Sequence, residues 1–466
     1  MVTKRLIPWA VVFLPLTAPH HSFATPWVDA GDERTRHHLL VLNDSGKLKL
    51  PLSSWPMMWS GIKSGLDNLK AEDLNETELW SYRYLRHALK QAMRTNEINV
   101  SVHGASHPGA FGDFSTDSNE QAEAVTGATF TSEQLALNLQ KSFLYDPIDG
   151  YKYRYDGSYL ASTLGNWVFG IGAQNRWWGP GWQNSMILSH NGRPVPSIFV
   201  QRKDTAAHSG DWTRSVAWDI TLFSGMLEKK RFIERPWFSG ARLTVKPWRF
   251  LELGISGTQI WGGEAPKQEE SDPPLKKESY RLCSFDWRLG HNFGGLQMGL
   301  YQQKTCTRQS PQLHANTYGL EVAAMLGGTN SRIALEFNDN SNNGNSFYDH
   351  HYYQNGYRQH ERALGSSFDT AASAVTLLAE HYLSNGHQIG WRLGKVKLND
   401  DNTQPDTGAN FYSSDYVEVS FYRANYKLPV TDWLQVEAGA THYNKDIALR
   451  NKTISSGGYV QFNISF

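Results

Sequence analysis

The chain closes on Tyr459-Val-Gln-Phe-Asn-Ile-Ser-Phe466, which puts Val460, Phe462, Ile464 and Phe466 on one face and Tyr459, Gln461, Asn463 and Ser465 on the other. Successive strand side chains point to opposite faces, so such a strand can show one face to lipid and the other to a polar interior. The same period recurs upstream. Ile333, Leu335 and Phe337 alternate with Arg332, Glu336 and Asn338, Ile389, Trp391 and Leu393 flank Arg392, and Leu434, Val436 and Ala438 alternate with Gln435 and Glu437. One strand of this kind also fits a half-buried edge in a soluble sandwich, so the rest of the chain must decide.

Composition favours a membrane barrel. Charged residues make up 19% and aromatics 13%, with 17 Trp and 21 Tyr. The charged fraction is below the usual quarter of globular proteins, and the aromatics suffice for girdles at two membrane interfaces. A mean hydropathy of −0.51 agrees, because a barrel exposes only alternate residues to lipid. With 45 basic and 45 acidic side chains, nothing suggests a nucleic-acid partner. At the front, Lys4 and Arg5 precede the apolar run Leu6 to Leu16, and Ser22-Phe-Ala24 follows. This predicts a cleaved secretory signal over residues 1–24, the apolar run being shorter than the roughly 20 residues of a membrane span.

Residues 25–97 have a helical period. Asp29-Ala-Gly-Asp32 offers a helix start, Ser53-Ser54 before Trp55-Pro56 a second, and Asn75-Glu-Thr-Glu78 a capping-box third. This predicts a small periplasmic helical module followed by a barrel over 98–466. Turn signals at 246–249, 291–295, 326–330, 384–386 and 429–432 alternate with long polar segments near 262–279, 303–316, 339–368 and 399–410. Short turns at one end and long loops at the other are the asymmetry of an outer-membrane barrel. About 370 residues at roughly 20 per strand and connection predict an all-β transmembrane barrel of about 18 antiparallel strands. Its terminal Phe466 suits the barrel-assembly machinery. Cys283 and Cys306 lie symmetrically about the turn at Gly294-Gly295, so an unbulged hairpin would set them opposite each other for a disulfide in an oxidising compartment.

The sharpest motif is Gln174-Asn-Arg-Trp-Trp-Gly-Pro-Gly-Trp182, followed by Ser185-Met-Ile-Leu-Ser-His-Asn191 and Arg193-Pro-Val-Pro196. This run, with Asp29-Ala-Gly-Asp32, Leu50-Pro-Leu-Ser-Ser-Trp-Pro56, the leader and the Phe terminus, resembles the Wzi family of capsule-assembly outer-membrane proteins. The resemblance implies an 18-stranded barrel with a periplasmic helical bundle, acting as a lectin that holds capsular polysaccharide at the cell surface. Physically, Arg176, Trp177, Trp178 and Trp182 around Gly179-Pro-Gly181 read in two ways: as a sugar-stacking platform, or as a packed plug. The loop Phe347-Tyr-Asp-His-His-Tyr-Tyr-Gln-Asn-Gly-Tyr-Arg-Gln-His-Glu-Arg362 offers ring faces, amides and cations suited to a glycan. From it Tyr348, His351, Tyr352, Tyr353, Tyr357, Arg358 and His360 are candidate contacts, with a solvated loop as the plainer alternative.

The leading function is a non-enzymatic, monomeric surface lectin with no cofactor or metal, whose partners are capsular or other surface polysaccharide and outer-membrane lipid. A channel or porin for small solutes is the alternative. A hydrolase is disfavoured because no Gly-x-Ser-x-Gly nucleophile motif sits at a strand-to-helix turn.

Overall fold

The computed structural model describes residues 27–94, 96–115, 118–132, 134–207, 216–267, 277–308, 314–341, 347–369, 371–400, 416–449 and 452–466. The leader expected over residues 1–24 lies outside them. A closed antiparallel wall runs from Asn96–Ala105 to Gly457–Ser465. The last strand closes it by pairing on both sides, Phe462 standing opposite Val436 and Val102. Tyr153–Arg154 and Tyr159–Leu164 both pair with Leu135–Tyr145 and form one interrupted wall position. Counting those two as one, the 19 strands of the closed order occupy 18 positions, as predicted.

The alternation sorts the side chains. Phe285, Leu300, Leu320 and Ile333 face outward, whereas Arg288, Glu321, Arg332 and Glu336 are buried in the lumen. Trp237 stacks on Trp261 at one rim, and Trp433 on Phe466 at the other, ring centroids 5.8 and 6.1 Å apart. These are the interfacial girdles. Turns of a few residues join most strands at the Phe466 end, the exception being the 14 residues between Ser197–Arg202 and Ala217–Met226. At one of these turns Gly327 and Gly328 take positive φ values of 55° and 77°, which suits a two-residue hairpin. The other long connections lie at the opposite, extracellular end. The loop expected at 303–316 is shorter, because Leu296–Thr307 and His314–Leu326 extend into it.

Cys283 and Cys306 stand directly opposite in the ladder and are joined by a disulfide. Reducing it is expected to cost about 3 kcal/mol or less, the loop-closure value for a separation of 23 residues. A thermal melt with and without reductant checks this, and no shift at all would mean that the ladder alone holds the two strands.

Three helices precede the wall: α1 (Glu33–Asp44), α2 (Trp59–Asp67) and α3 (Glu76–Ala92). Asp32 caps α1, its carboxylate accepting from Thr35 N at 2.9 Å. Asn75 and Glu78 form the expected capping box on α3. The second helix begins at Trp59 and not near Trp55-Pro56, because Ser54 and Trp55 are drawn into strand pairing with Trp178 and Trp177. The first wall strand begins at Asn96, two residues before the predicted change of period.

Candidate functional site

The lumen is filled from both ends. From the periplasmic side, α1 is buried at every residue except Arg34, although it is largely polar. The wall supplies partners for that polarity. Arg288 binds the Asp44 carboxylate at 2.7 and 2.6 Å, and Arg392 binds Glu33 and Asp113. Arg332 donates to His37 Nδ1 at 3.1 Å. α1 is therefore a polar plug in a polar lumen that also packs its leucines against Leu85 and Leu89 of α3, while α3 keeps exposed basic positions on its outer side.

From the extracellular side the Trp motif folds inward. Trp177 and Trp178 pair with Trp55 and Ser54. The Glu336 carboxylate accepts from the backbone N–H groups of Trp182, Gln183 and Asn184 and from the Tyr301 hydroxyl. Arg36 of α1 lies 4.0 Å above the Trp182 ring and donates to Pro180 O and Gly181 O at 2.6 and 2.9 Å. Burial pulls both Arg36 and Arg176 down to about 10. The tyrosine loop covers this core. Tyr348 donates to Met186 O at 2.6 Å, Tyr357 to Ile187 O at 2.7 Å and Tyr353 to Gly262 O at 3.1 Å. Arg358 is clamped between Asp369 and Asp349.

Nine of the eleven predicted glycan contacts are thus buried: Arg176, Trp177, Trp178, Trp182, Tyr348, Tyr352, Tyr353, Tyr357 and Arg358. Their rings and cations are committed to one another and present no face to an external sugar, which corrects the stacking-platform reading in favour of the plug. His351 stays exposed, with 61% of its side chain accessible, and stands 3.6 Å from Glu278. His360 reaches a different surface.

That surface is a polar cleft at the extracellular end, between the plug and the wall. It has two adjoining chambers with volumes of about 60 and 190 Å³, which share Asp113, Ser118, Asn119 and Arg423. The first is edged by the aromatic rings of Phe111, Phe421, Tyr443 and Tyr459. The second is walled by an ion-pair lattice. Arg154 binds Glu120 at 2.9 Å and Asp149 at 3.0 Å, and Arg193 binds Asp149 at 2.9 Å and Asp156 through two contacts of 2.7 and 2.9 Å. At its rim Tyr151, 39% exposed, holds its ring 4.8 Å from His360 and 5.7 Å from the Arg193 guanidinium.

Not all of this polarity is spent internally. Among the described residues, Arg154 Nε, Glu120 Oε2, Gln183 Oε1 and Asn191 Oδ1 are buried without a hydrogen-bond partner. Buried polar atoms are nearly always satisfied by protein, water or ligand, and the accessible amides of Asn119 and Asn175 in the same lining offer donors and acceptors to whatever enters. The hydroxyl groups of a carbohydrate supply both kinds.

The charge states fit a rigid frame. Burial alone would raise Asp149, but Arg154 and Arg193 bring it below the usual carboxylate range. Burial, then the Arg193 charge, lowers His360. Burial, with nearby arginine charge, holds His37 and His38 well below 6.5. His37 and His38 are neutral when α1 is docked, so their full contribution to docking is present above pH 6.5. As pH falls below that value, the undocked chain gains protons that the docked one refuses. Hydrogen exchange of α1 amides, corrected for intrinsic rates, is therefore expected to show less protection at pH 5 than at pH 7.5. Equal or greater protection at pH 5 would contradict this.

Sequence reasoning did not single out Asn119 and Asn175, which line the cleft, or Tyr151 beside it. The run Tyr145-Asp-Pro-Ile-Asp-Gly-Tyr-Lys-Tyr-Arg-Tyr-Asp-Gly157 carried the signal for Tyr151, since it alternates rings with charges as the Phe347–Arg362 loop does.

A closed wall with an apolar outer belt, a filled lumen and an extracellular polar cleft define an occluded outer-membrane β-barrel. The profile of the family described as Capsule assembly protein Wzi matches residues 92–452, and the chain belongs to that family. It is similar to an uncharacterized 55.8 kDa protein in the cps region of Klebsiella pneumoniae, 28% identical over 246 residues, which are 52% of this chain and 48% of that protein. The match thus spans about half the length of that relative. The fold is similar to that of Wzi, an outer-membrane protein involved in group 1 capsule assembly in Escherichia coli and described as a carbohydrate-binding β-barrel. The TM-score is 0.82 over 96% of this chain and 99% of that one, at 21% identity. At that identity the likeness bears on the fold.

Proposed function

We propose that this chain binds capsular or related surface polysaccharide in the extracellular cleft and attaches it to the cell, without making or breaking bonds in it. The observation that carries this reading is uncommitted polarity beside an exposed ring, above a lumen that is filled. Asn119 and Asn175 line the cleft with carboxamides that make no hydrogen bond to the described residues, and Tyr151, outside the lining but against its Arg193, adds a partly exposed ring. Each contact is weak. A polymer engaging many barrels is retained through multivalency, so modest affinity per site suffices. In the same reading the protein works as a monomer, its apolar belt meets outer-membrane lipid, and Phe466 engages the barrel-assembly machinery during insertion.

Deleting the gene is expected to move polysaccharide from the cell surface into the medium while total synthesis stays unchanged. Unaltered surface attachment would overturn the anchoring role, and a fall in total polymer would move the role to synthesis or export.

A further inference from the structure

Tyr280–Phe293 and Leu296–Thr307 carry cations on the lipid side of the wall. Burial alternates along both strands. Phe285, Leu289, Met298 and Leu300 are exposed, while Asp286, Arg288, Gln297 and Gln303 are buried. Arg281, Lys304 and Arg308 share the parity of the exposed set. Arg308 N donates to Arg281 O at 3.1 Å, so the two arginines are cross-strand neighbours with Cα atoms about 5 Å apart. Lys304 stands opposite Phe285, two outward positions deeper than Arg308.

Depth gives these cations a meaning. A lipid-facing belt about 25 Å tall takes roughly 9–11 tilted residues. Counted from the turn at Gly294-Gly295, the belt ends near Cys283 and Cys306. Arg281 and Arg308 therefore lie at the height of extracellular headgroups, with Lys304 just inside, where a long side chain snorkels outward.

The wall is recessed at this place. Ala241, Gly257 and the Cys283–Cys306 bridge form one row of small side chains, with Gln259 in the row above beside Arg281. The hollow measures about 690 Å³. Among the described residues none of the three cations has a carboxylate partner. By contrast, Lys395, on the outer face of Gln388–Leu398, is neutralised by Glu418 at 2.8 Å.

We infer that this outer-wall hollow binds a phosphate-bearing glycolipid of the extracellular leaflet. The guanidinium forks of Arg281 and Arg308 take the phosphate, Gln259 meets the sugar headgroup, and the recess above Phe285 receives an acyl chain. The position selects a lipid as the source of the phosphate, because the site opens sideways into the bilayer. It is separate from the polysaccharide cleft and does not depend on it.

The test uses the full-length protein in detergent, titrated with bis-phosphorylated lipid A and with its dephosphorylated form, bound lipid being counted by native mass spectrometry. One phosphorylated lipid per barrel is expected, with the dephosphorylated form about a hundredfold weaker, roughly fivefold for each cation near a phosphate. The Arg281→Gln/Lys304→Gln/Arg308→Gln variant should lose a similar factor, and Lys395→Gln should lose none. Equal binding of the two lipids by the wild-type protein overturns the inference whether or not the triple variant folds. Undiminished binding by a folded triple variant overturns it as well, as does equal competition by inorganic phosphate.

Discussion

Replacing Arg392 by Met is expected to release the α1 plug and open a barrel that is otherwise silent in a planar bilayer. The guanidinium is buried and faces Glu33 of α1, Asp113 at 3.0 Å and Glu380 at 3.3 Å. Buried ion pairs add little net stability over well-packed apolar groups, but removing one partner strands the others, at a cost of about 3–5 kcal/mol. Methionine keeps most of the volume and none of the charge, leaving Glu380 without its cation, and Asp113 and Glu33 with Arg423 at 3.2 Å and Lys427 at 3.9 Å respectively. The least costly relief is for α1 to withdraw Glu33, because the wall strands are held by their ladders. Single-channel recording should then show steps in the variant and none in the wild-type protein. A second change, Glu33→Gln, should restore part of the closure by removing one stranded charge. A variant that stays silent and melts like the parent would show that α1 is held by its other contacts.

The second large effect is expected at Glu336→Leu. This carboxylate receives three successive backbone N–H groups from Trp182 to Asn184, and the Tyr301 hydroxyl at 2.8 Å. Leucine leaves those donors buried and unmet, at roughly 1–3 kcal/mol each before relaxation. About 4 kcal/mol of plug docking should be lost while the wall stays closed. Limited proteolysis would then cut between residues 173 and 196, a segment resistant in the parent. The cleft should fail with it, since Gln183, His190 and Arg193 line it from the plug side. Unchanged proteolysis would mean that the Gln303 bonds to Trp178 O and Met186 N, 2.7 and 2.8 Å long, hold the turn alone.

The wall was legible in the sequence because its signal is local. Alternation at Arg332–Asn338 or Leu434–Ala438 reports which face each residue takes, and the symmetric cysteines reported the register that Cys283 and Cys306 adopt. The cap at Asn75 was legible for the same reason. The lumen was not. A tyrosine-rich loop has the same composition whether its rings meet a sugar or another loop. What decides is the acceptors for Tyr348 and Tyr357, which are Met186 O and Ile187 O, some 160 to 170 positions away. The burial of helix α1 was equally hidden. The helix was expected only as part of a periplasmic helical module, and nothing local in its charged residues reports a lumen that presents Arg288, Arg332 and Arg392 to them. The cleft was missed because its groups come from separate connections, Asn119, Tyr151 and Asn175, none of which forms a motif with the others.

The central claim is that the extracellular cleft, and not the buried aromatic loop, receives the polysaccharide. Calorimetric titration of the purified protein with fragments of the host's own surface polysaccharide tests it directly, beside a Tyr151→Ala/Asn119→Ala/Asn175→Ala variant. Saturable binding by the parent is predicted, roughly thirtyfold weaker in the variant at about 0.7 kcal/mol for each group removed, with the melting temperature unchanged. No binding by the parent, or equal binding by both proteins, would contradict it.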